Sequence, residues 1–280
     1  MSQSSNPLKQ FFRQPAIYMR LPSGGQFWPE GSLDLPPNGE LPVYPMTALD
    51  EISYRTPDAL FNGAATVSVI QSCVPSIKNA WKIPSVDLNS ILVAIRIASY
   101  GESMDLKTTC TKCNTESDFE IDLNTLMNTV KSADYSQCLE QGDIQIFFKP
   151  IGYDVQNRIN LQQFEQQKKM QSISQSDLTN EEKSKLFNET LVTVTEITVQ
   201  AIQNSIGAIR TPGAMVTEPE YINEFLTNCD RKLFNKIKDK VIEFRVSTEF
   251  KPLQMTCVNC GNLYEQDFTL DAVSFFEQAS

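Results

Sequence analysis

The chain has 280 residues, of which 41% are hydrophobic and 21% are charged, with a formal net charge of −10. This composition is typical of a folded protein with a sizeable core, and no apolar run approaches the length needed to cross a bilayer. The sequence contains no histidine, which excludes Ser-His-Asp and Cys-His catalytic pairs and the usual open catalytic zinc site.

The first ten residues and the net charge bear on where the protein is made and on what it binds. Residues 1–10 contain no apolar signal core, so we expect synthesis in the cytosol, where thiols stay reduced and can bind metal. The acidic balance repels phosphate backbones, which disfavours a general role in binding nucleic acid.

Residues 1–45 are rich in proline, glycine and aromatic side chains, including Phe11, Phe12 and Trp28. Prolines at this density disfavour helix, while the aromatic side chains are too apolar for a solvated tail. The region is therefore predicted to form an extended arm. Two interpretations stay open: the arm packs on its own domain, or it straps a partner subunit.

Residues 46–125 are predicted to form part of an α+β body. Thr47 with Asp50 indicates a helix start, and Thr56 indicates a second short helix that ends at Gly63. The run 88–100 is the most apolar of the chain and is predicted to be a core helix, with Asp87 as its N-cap and Gly101 after its end. Further on, Asp122 or Asn124 is a candidate cap for a short helix through Val130.

Residues 126–246 are predicted to form a mainly helical insertion. Ile144 to Lys149 has the pattern of a strand that ends before Pro150. Thr179 and Thr217, each followed by acidic residues, are helix start signals. The helices are predicted over 155–170, 179–206, 219–227 and 230–246.

Two CxxC motifs are the chief chemical signal. Cys110-Thr-Lys-Cys113 and Cys257-Val-Asn-Cys260 each lie between segments with apolar alternation of period two, which predicts a strand, a knuckle and a second strand in both places. Four thiolates on two such turns match the tetrahedral coordination that zinc prefers. The sequence therefore predicts one structural zinc ion held by both motifs, in a zinc-ribbon-like pair of β-hairpins.

Two other roles are open to these cysteines besides binding zinc. A CxxC motif also serves as a redox pair or disulfide, and cysteines are also packed as small hydrophobic residues. Neither alternative explains two similarly flanked copies. If both motifs hold one ion, residues 247–280 belong to the same body as 46–125, and the intervening segment is an insertion.

Several segments resemble a known family. The chain is similar to the T4-like bacteriophage baseplate family, whose members are hub subunits or hub assembly proteins. The resemblance covers residues 1–125 and resumes at the second CxxC motif. It is carried by Leu21-Pro-Ser-Gly-Gly, Gly39-Glu-Leu-Pro-Val-Tyr-Pro-Met-Thr-Ala-Leu-Asp-Glu51, Thr56-Pro-Asp-Ala-Leu-Phe-Asn-Gly63, Ser72-Cys-Val-Pro-Ser-Ile77 and Ala94-Ile-Arg-Ile-Ala-Ser-Tyr-Gly101.

The resemblance implies a tail-assembly protein of a contractile-tailed phage, made in the host cytoplasm, with other baseplate proteins as partners and no catalytic residues. It leaves open whether the protein stays in the virion baseplate or acts only in assembly. Two other functions stay open. One is a zinc-ribbon module that binds nucleic acid, although only three basic residues lie near the motifs, Lys107, Lys112 and Lys251. The other is a carboxylate-based cell-wall hydrolase.

Overall fold

The computed structural model describes residues 6–54, 63–130 and 132–268. The chain divides into two compact units: unit 1 comprises Met1–Ala80, Asp87–Val130 and Phe250–Ser280, and unit 2 comprises Trp81–Val86 and Lys131–Glu249. Both contain helices and small antiparallel sheets, which confirms the predicted α+β class. Among the described residues, no helix is long and apolar enough to span a membrane.

Unit 1 begins with a 3-10 turn at Pro7–Phe11 and a two-stranded antiparallel sheet. Strand β1 (Ile17–Arg20) pairs with β2 (Glu40–Val43). Alternate residues of both strands point into the core, as the period of two requires. Pro42 is tolerated in β2 because a two-stranded sheet leaves one edge of each strand unpaired.

Arg13 fastens the N-terminal segment to unit 1. Its guanidinium donates hydrogen bonds of 2.8 Å to both the carbonyl and the hydroxyl oxygen of Ser72, and it lies 3.4 Å from Asp50. The residues before this anchor are much less covered, with Phe11 76% exposed and Phe12 55% exposed. The predicted arm is thus packed on its own unit from Arg13 onward.

Unit 1 contains α1 (Ala48–Tyr54), α2 (Ala64–Cys73) and most of α3 (Ser85–Tyr100). Helix α1 begins as predicted, because Thr47 and Asp50 exchange hydrogen bonds across its first turn. The short helix predicted between Thr56 and Gly63 falls on residues outside the described part of the chain.

The prediction that Asp87 caps α3 is wrong. The helix begins at Ser85, directly after Pro84, so Asp87 lies within its first turn. The buried carboxylate instead accepts hydrogen bonds from the Ser23 backbone N–H at 2.9 Å and from Trp28 Nε1 at 2.8 Å. Asp87 therefore fastens a distant loop to the helix.

The first CxxC motif lies in a hairpin of unit 1. Strand β3 (Ser103–Thr109) pairs with β4 (Glu116–Asp122), and α4 (Leu123–Thr129) follows at once. Asp122 caps this helix as predicted, because its side chain accepts a hydrogen bond from the Asn124 N–H at 2.9 Å.

Unit 2 contains a four-stranded antiparallel sheet in the order β5-β6-β7-β8. The predicted strand is observed as β6, whereas the other three strands were not predicted. Their bounds are β5 (Cys138–Gln141), β6 (Ile144–Phe148), β7 (Ile206–Arg210) and β8 (Met215–Val216).

The four predicted helices of this region are all present. They are α5 (Tyr153–Gln175), α6 (Asn180–Ser205), α7 (Pro219–Asn228) and α8 (Arg231–Ser247). Thr179 and Glu182 form a capping box at α6, and Asp230 caps α8. Helices α6, α7 and α8 share a core with the sheet, which includes Ile146, Phe148, Ile206, Ile237 and Phe244.

After α8 the chain returns to unit 1 and forms a second hairpin from β9 (Leu253–Thr256) and β10 (Leu263–Gln266). Phe250 and Phe268 flank it and pack edge to face, with ring centroids 5.5 Å apart. The terminal helical turn predicted around Phe275 lies outside the described residues.

Candidate metal centre

Each CxxC motif forms the turn of its own hairpin. In the first, Cys110 N donates a 3.0 Å hydrogen bond to the Thr115 carbonyl, and Asn114 N donates a 3.0 Å bond to the Cys110 carbonyl. These two bonds fold the six-residue loop back on itself. Asn114 has a φ of 54°, the left-handed conformation that asparagine tolerates better than most residues.

The second loop repeats this geometry residue by residue. Cys257 N donates to the Asn262 carbonyl at 2.9 Å, and Gly261 N donates to the Cys257 carbonyl at 2.9 Å. Gly261 has a φ of 67° at the position equivalent to Asn114. The predicted likeness of the two motifs therefore extends to their backbone conformation.

The two loops bring four sulfur atoms together. The Sγ atoms of Cys110, Cys113, Cys257 and Cys260 all lie within 4.8 Å of one another. Two short contacts cross between the hairpins, with Cys110 Sγ 3.8 Å from Cys260 Sγ and Cys113 Sγ 3.6 Å from Cys257 Sγ. Four sulfurs each about 2.3 Å from a tetrahedral zinc would be about 3.8 Å apart.

The same distances argue against disulfide pairing. A disulfide places its sulfurs about 2.05 Å apart, whereas all four of these cysteines are free thiols. The first cysteine of each motif is buried, with Cys110 1% exposed and Cys257 2% exposed. Cys113 is half-buried and Cys260 is exposed. One side of the cluster thus faces the protein and the other faces solvent.

Hydrogen-bond donors surround the sulfurs of the first loop. The Lys112 N–H lies 3.4 Å from Cys110 Sγ, and the amide of Asn262 reaches the same sulfur at 3.9 Å. The amide of Asn259 lies 3.8 Å from Cys113 Sγ. Both amides come from the second loop, so each hairpin contributes to the surroundings of the other. Donors of this kind orient and stabilise thiolate ligands.

Hydrogen bonds from Thr115 and from nearby backbone N–H groups favour the charged form of two of the cysteines. The side chain of Thr115, whose hydroxyl is 3.2 Å from Cys113 Sγ, and then its backbone N–H lower the pKa of Cys113 to about 6. The backbone N–H groups of Cys113 and Lys112 lower the pKa of Cys110. Thiolate is the form of cysteine that binds metal.

The thiol of Cys260, the fourth cysteine, is held in its neutral form by its neighbours. The Asn262 backbone N–H lowers the pKa of Cys260, but the contact with Cys113, together with desolvation and the remaining sulfurs, raises it to about 12 overall. Four thiolates this close repel one another, so full deprotonation needs a cation at their centre.

The two hairpins also touch away from the sulfurs. The hydroxyl groups of Thr108 on β3 and Tyr264 on β10 form a hydrogen bond of 2.5 Å, and both residues are buried. This bond joins residues 156 positions apart in the sequence. Neither this bond nor the sulfur contacts of Asn259 and Asn262 follow from a sequence pattern, although Asn259 lies within the second CxxC motif and Asn262 lies two residues after it.

The lysines of the nucleic-acid alternative lie in acidic surroundings. Lys107 is paired directly opposite Asp118 across the first hairpin. Residues 103–122 contain five acidic and two basic side chains. This balance repels phosphate. The hairpin surface therefore does not favour a nucleic-acid interface.

Comparison with known proteins identifies the family. The family described as T4 bacteriophage base plate protein matches residues 40–277, a range that includes both hairpins and all of unit 2 from Lys131 onward. No curated protein and no solved structure matched the chain. The family match confirms the resemblance at the level of a baseplate protein. The chain therefore belongs to the T4 bacteriophage base plate protein family.

Proposed function

We propose that the chain is a non-enzymatic structural protein of a contractile-tail baseplate, acting as a hub component or as a hub assembly factor. The observation that carries this proposal is the family match over residues 40–277. Its partners are other baseplate proteins, which it meets in the virion tail or in the host cytoplasm during assembly. The exposed Phe11 and Phe12 and the helices of residues 126–246 are the surfaces proposed to meet them.

We further propose that Cys110, Cys113, Cys257 and Cys260 hold one structural zinc ion in a zinc-ribbon-like arrangement. The sulfur spacing and the all-thiolate donor set support zinc, which forms closed tetrahedral sites with four cysteines. Filling all four positions leaves none for a substrate, so the ion would stabilise unit 1 rather than catalyse a reaction.

The metal proposal is tested by elemental analysis of the protein purified without added metal. We expect one zinc per chain. The double variant Cys110→Ser/Cys257→Ser should lose the zinc, whereas Cys138→Ser should retain it, because Cys138 lies outside the cluster. Iron in place of zinc, or zinc retained by the double variant, would contradict the proposal.

The assembly role is tested in infected cells. A phage without a functional copy of this gene should yield tails without complete baseplates, and the wild-type protein or Cys138→Ser should restore them. Peptide mass spectrometry of purified particles then separates the two roles, because a hub component stays in the virion and an assembly factor does not. Normal infectious particles without the protein would rule out both roles.

A further inference from the structure

Unit 2 contains a partly open cavity of about 180 Å³ that none of the four clustered cysteines lines. Its walls come from β6 and the residues after it, from α5, from the end of α6 and from α8. The aromatic part of the wall consists of Tyr135, Phe148 and Phe244. The Tyr135 and Phe244 rings stack with centroids 4.8 Å apart, and the Phe148 and Phe244 rings lie 5.4 Å apart at 57°.

The size of the cavity matches one ring. An apolar cavity of about 150 Å³ in another protein binds benzene, so this one accommodates a single six-membered ring or a branched aliphatic group. An aromatic guest would find ring faces and edges against which to pack, together with the apolar side chains of Ile159 and Val241.

The rim of the cavity is cationic. Lys149 and Arg245 line it, and none of the described residues that line it is acidic, although the whole chain carries a net charge of −10. Arg245 Nε lies 3.5 Å from Glu249, but both side chains are more than half exposed, so this pair is weak and can exchange. Within the described residues, Lys149 forms no ion pair.

The mouth also offers groups for a peptide backbone. Asn160 and Gln163 lie three residues apart on α5, are both exposed and line the cavity. Residues at this spacing lie on the same face of a helix. Their side-chain amides can donate hydrogen bonds to the carbonyl groups of a peptide backbone and accept hydrogen bonds from its N–H groups. An aromatic ring without a peptide backbone would use neither.

We propose that this cavity binds a segment of a baseplate partner that inserts one aromatic side chain, with acidic residues on either side that meet Lys149 and Arg245. The choice of a protein partner rests on the proposed structural role. The exposed Phe11 and Phe12 of a second copy fit less well, because Lys9 and Arg13 flank them and would bring like charges together.

Binding of short labelled peptides to the full-length protein, measured by fluorescence polarisation, tests the proposal. The probe is the acetylated peptide Gly-Asp-Asp-Phe-Asp-Asp-Gly. We expect it to bind about tenfold to hundredfold more tightly than the peptide with alanine in place of phenylalanine, since the ring is removed from water. The peptide with lysine in place of each aspartate should bind no better than the alanine peptide.

Two variants locate the binding. Lys149→Glu reverses the charge of an exposed rim residue, so the acidic peptide should bind more weakly to it than to wild type, and the lysine-containing peptide should bind more tightly. Ala201→Leu fills the cavity and should abolish binding of both. Lys185→Glu, an exposed residue of α6 outside the cavity, is the matched control and should bind as wild type does.

The proposal is overturned if the acidic aromatic peptide binds no better than its alanine counterpart, or if Lys149→Glu and Lys185→Glu have the same affinity. Self-association that Ala201→Leu abolishes would also overturn it, in favour of a second copy as the occupant. Each variant should keep its zinc, so a failure here is distinguishable from a failure of the proposed metal site.

Discussion

The two cysteine hairpins place the same turn on strands of different length. The first pairs seven residues on each strand, whereas the second pairs only four. Both loops nevertheless contain the same two backbone hydrogen bonds and one left-handed residue. The turn is therefore encoded in its six residues. A four-residue hairpin is marginal by itself in water, so the second depends on its contacts with the first.

The largest expected effect is the loss of any one sulfur. Cys260 is exposed and Cys110 is buried, yet we expect Cys260→Ser and Cys110→Ser to lose zinc alike and to destabilise unit 1 alike, because each removes one of four ligands. Zinc content and thermal unfolding measure both effects. Cys229→Ser, outside the cluster, serves as the control. Unchanged zinc in Cys260→Ser would show that the hairpins contribute unequally.

Removal of the metal with a chelator should destabilise the second hairpin more than the first. We expect amide protection in residues 253–266 to fall before protection in residues 103–122, since the shorter hairpin has fewer backbone hydrogen bonds of its own. Hydrogen exchange followed by mass spectrometry measures this difference. Residues 206–210, in the sheet of unit 2, should stay protected. Simultaneous loss from both hairpins would mean that they open as one cooperative element.

A smaller effect is expected at the hydroxyl pair that joins the hairpins. Tyr264→Phe removes one partner and leaves the buried Thr108 hydroxyl without it, so we expect a loss of about 1–3 kcal/mol in the free energy of unfolding. Denaturant unfolding of the zinc-loaded protein measures it. Tyr18→Phe, 63% exposed, should change stability by less than about 0.5 kcal/mol. Equal effects in the two variants would contradict a stabilising role for this bond.

The smallest expected effects are at the left-handed positions. Gly261→Ala should lower the free energy of unfolding by about 1–2 kcal/mol, because a φ of 67° is unfavourable for alanine. Steric contact adds nothing to this loss, since a Cβ at this position meets no atom within 4 Å. Gly261→Asn should cost less, because asparagine occupies the equivalent position of the first loop. Denaturant unfolding compares them. Gly213→Ala, where the backbone is not left-handed and no atom is close, should not destabilise the protein.

Local signals explain what could be predicted from the sequence. Asp122 and Thr179 each cap a helix within a few residues of their own position, and Thr217 lies two residues before the start of α7, so the signal and the structure coincide. The two CxxC motifs likewise carry their turn within six residues. Their mutual similarity made it possible to predict that distant parts of the chain meet.

Long-range contacts explain what could not. Strand β7 begins directly after the last residue of α6, and its pairing with β6 joins segments about sixty residues apart, as Ile209 opposite Ile146 shows. Asp87 has the position of a helix cap, but its partners Ser23 and Trp28 lie 64 and 59 residues away. No short-range pattern distinguishes such a carboxylate from a cap.

Most of unit 2 lies between the two CxxC motifs in the sequence, and this has a consequence for synthesis. Cys113 leaves the ribosome long before Cys257, and at about 5–20 residues per second the delay is roughly 7–30 s. Residues 131–249 are made entirely within that interval. Unit 2 can therefore fold before the second pair of thiols has been made, and binding of the proposed metal would follow the folding of unit 2.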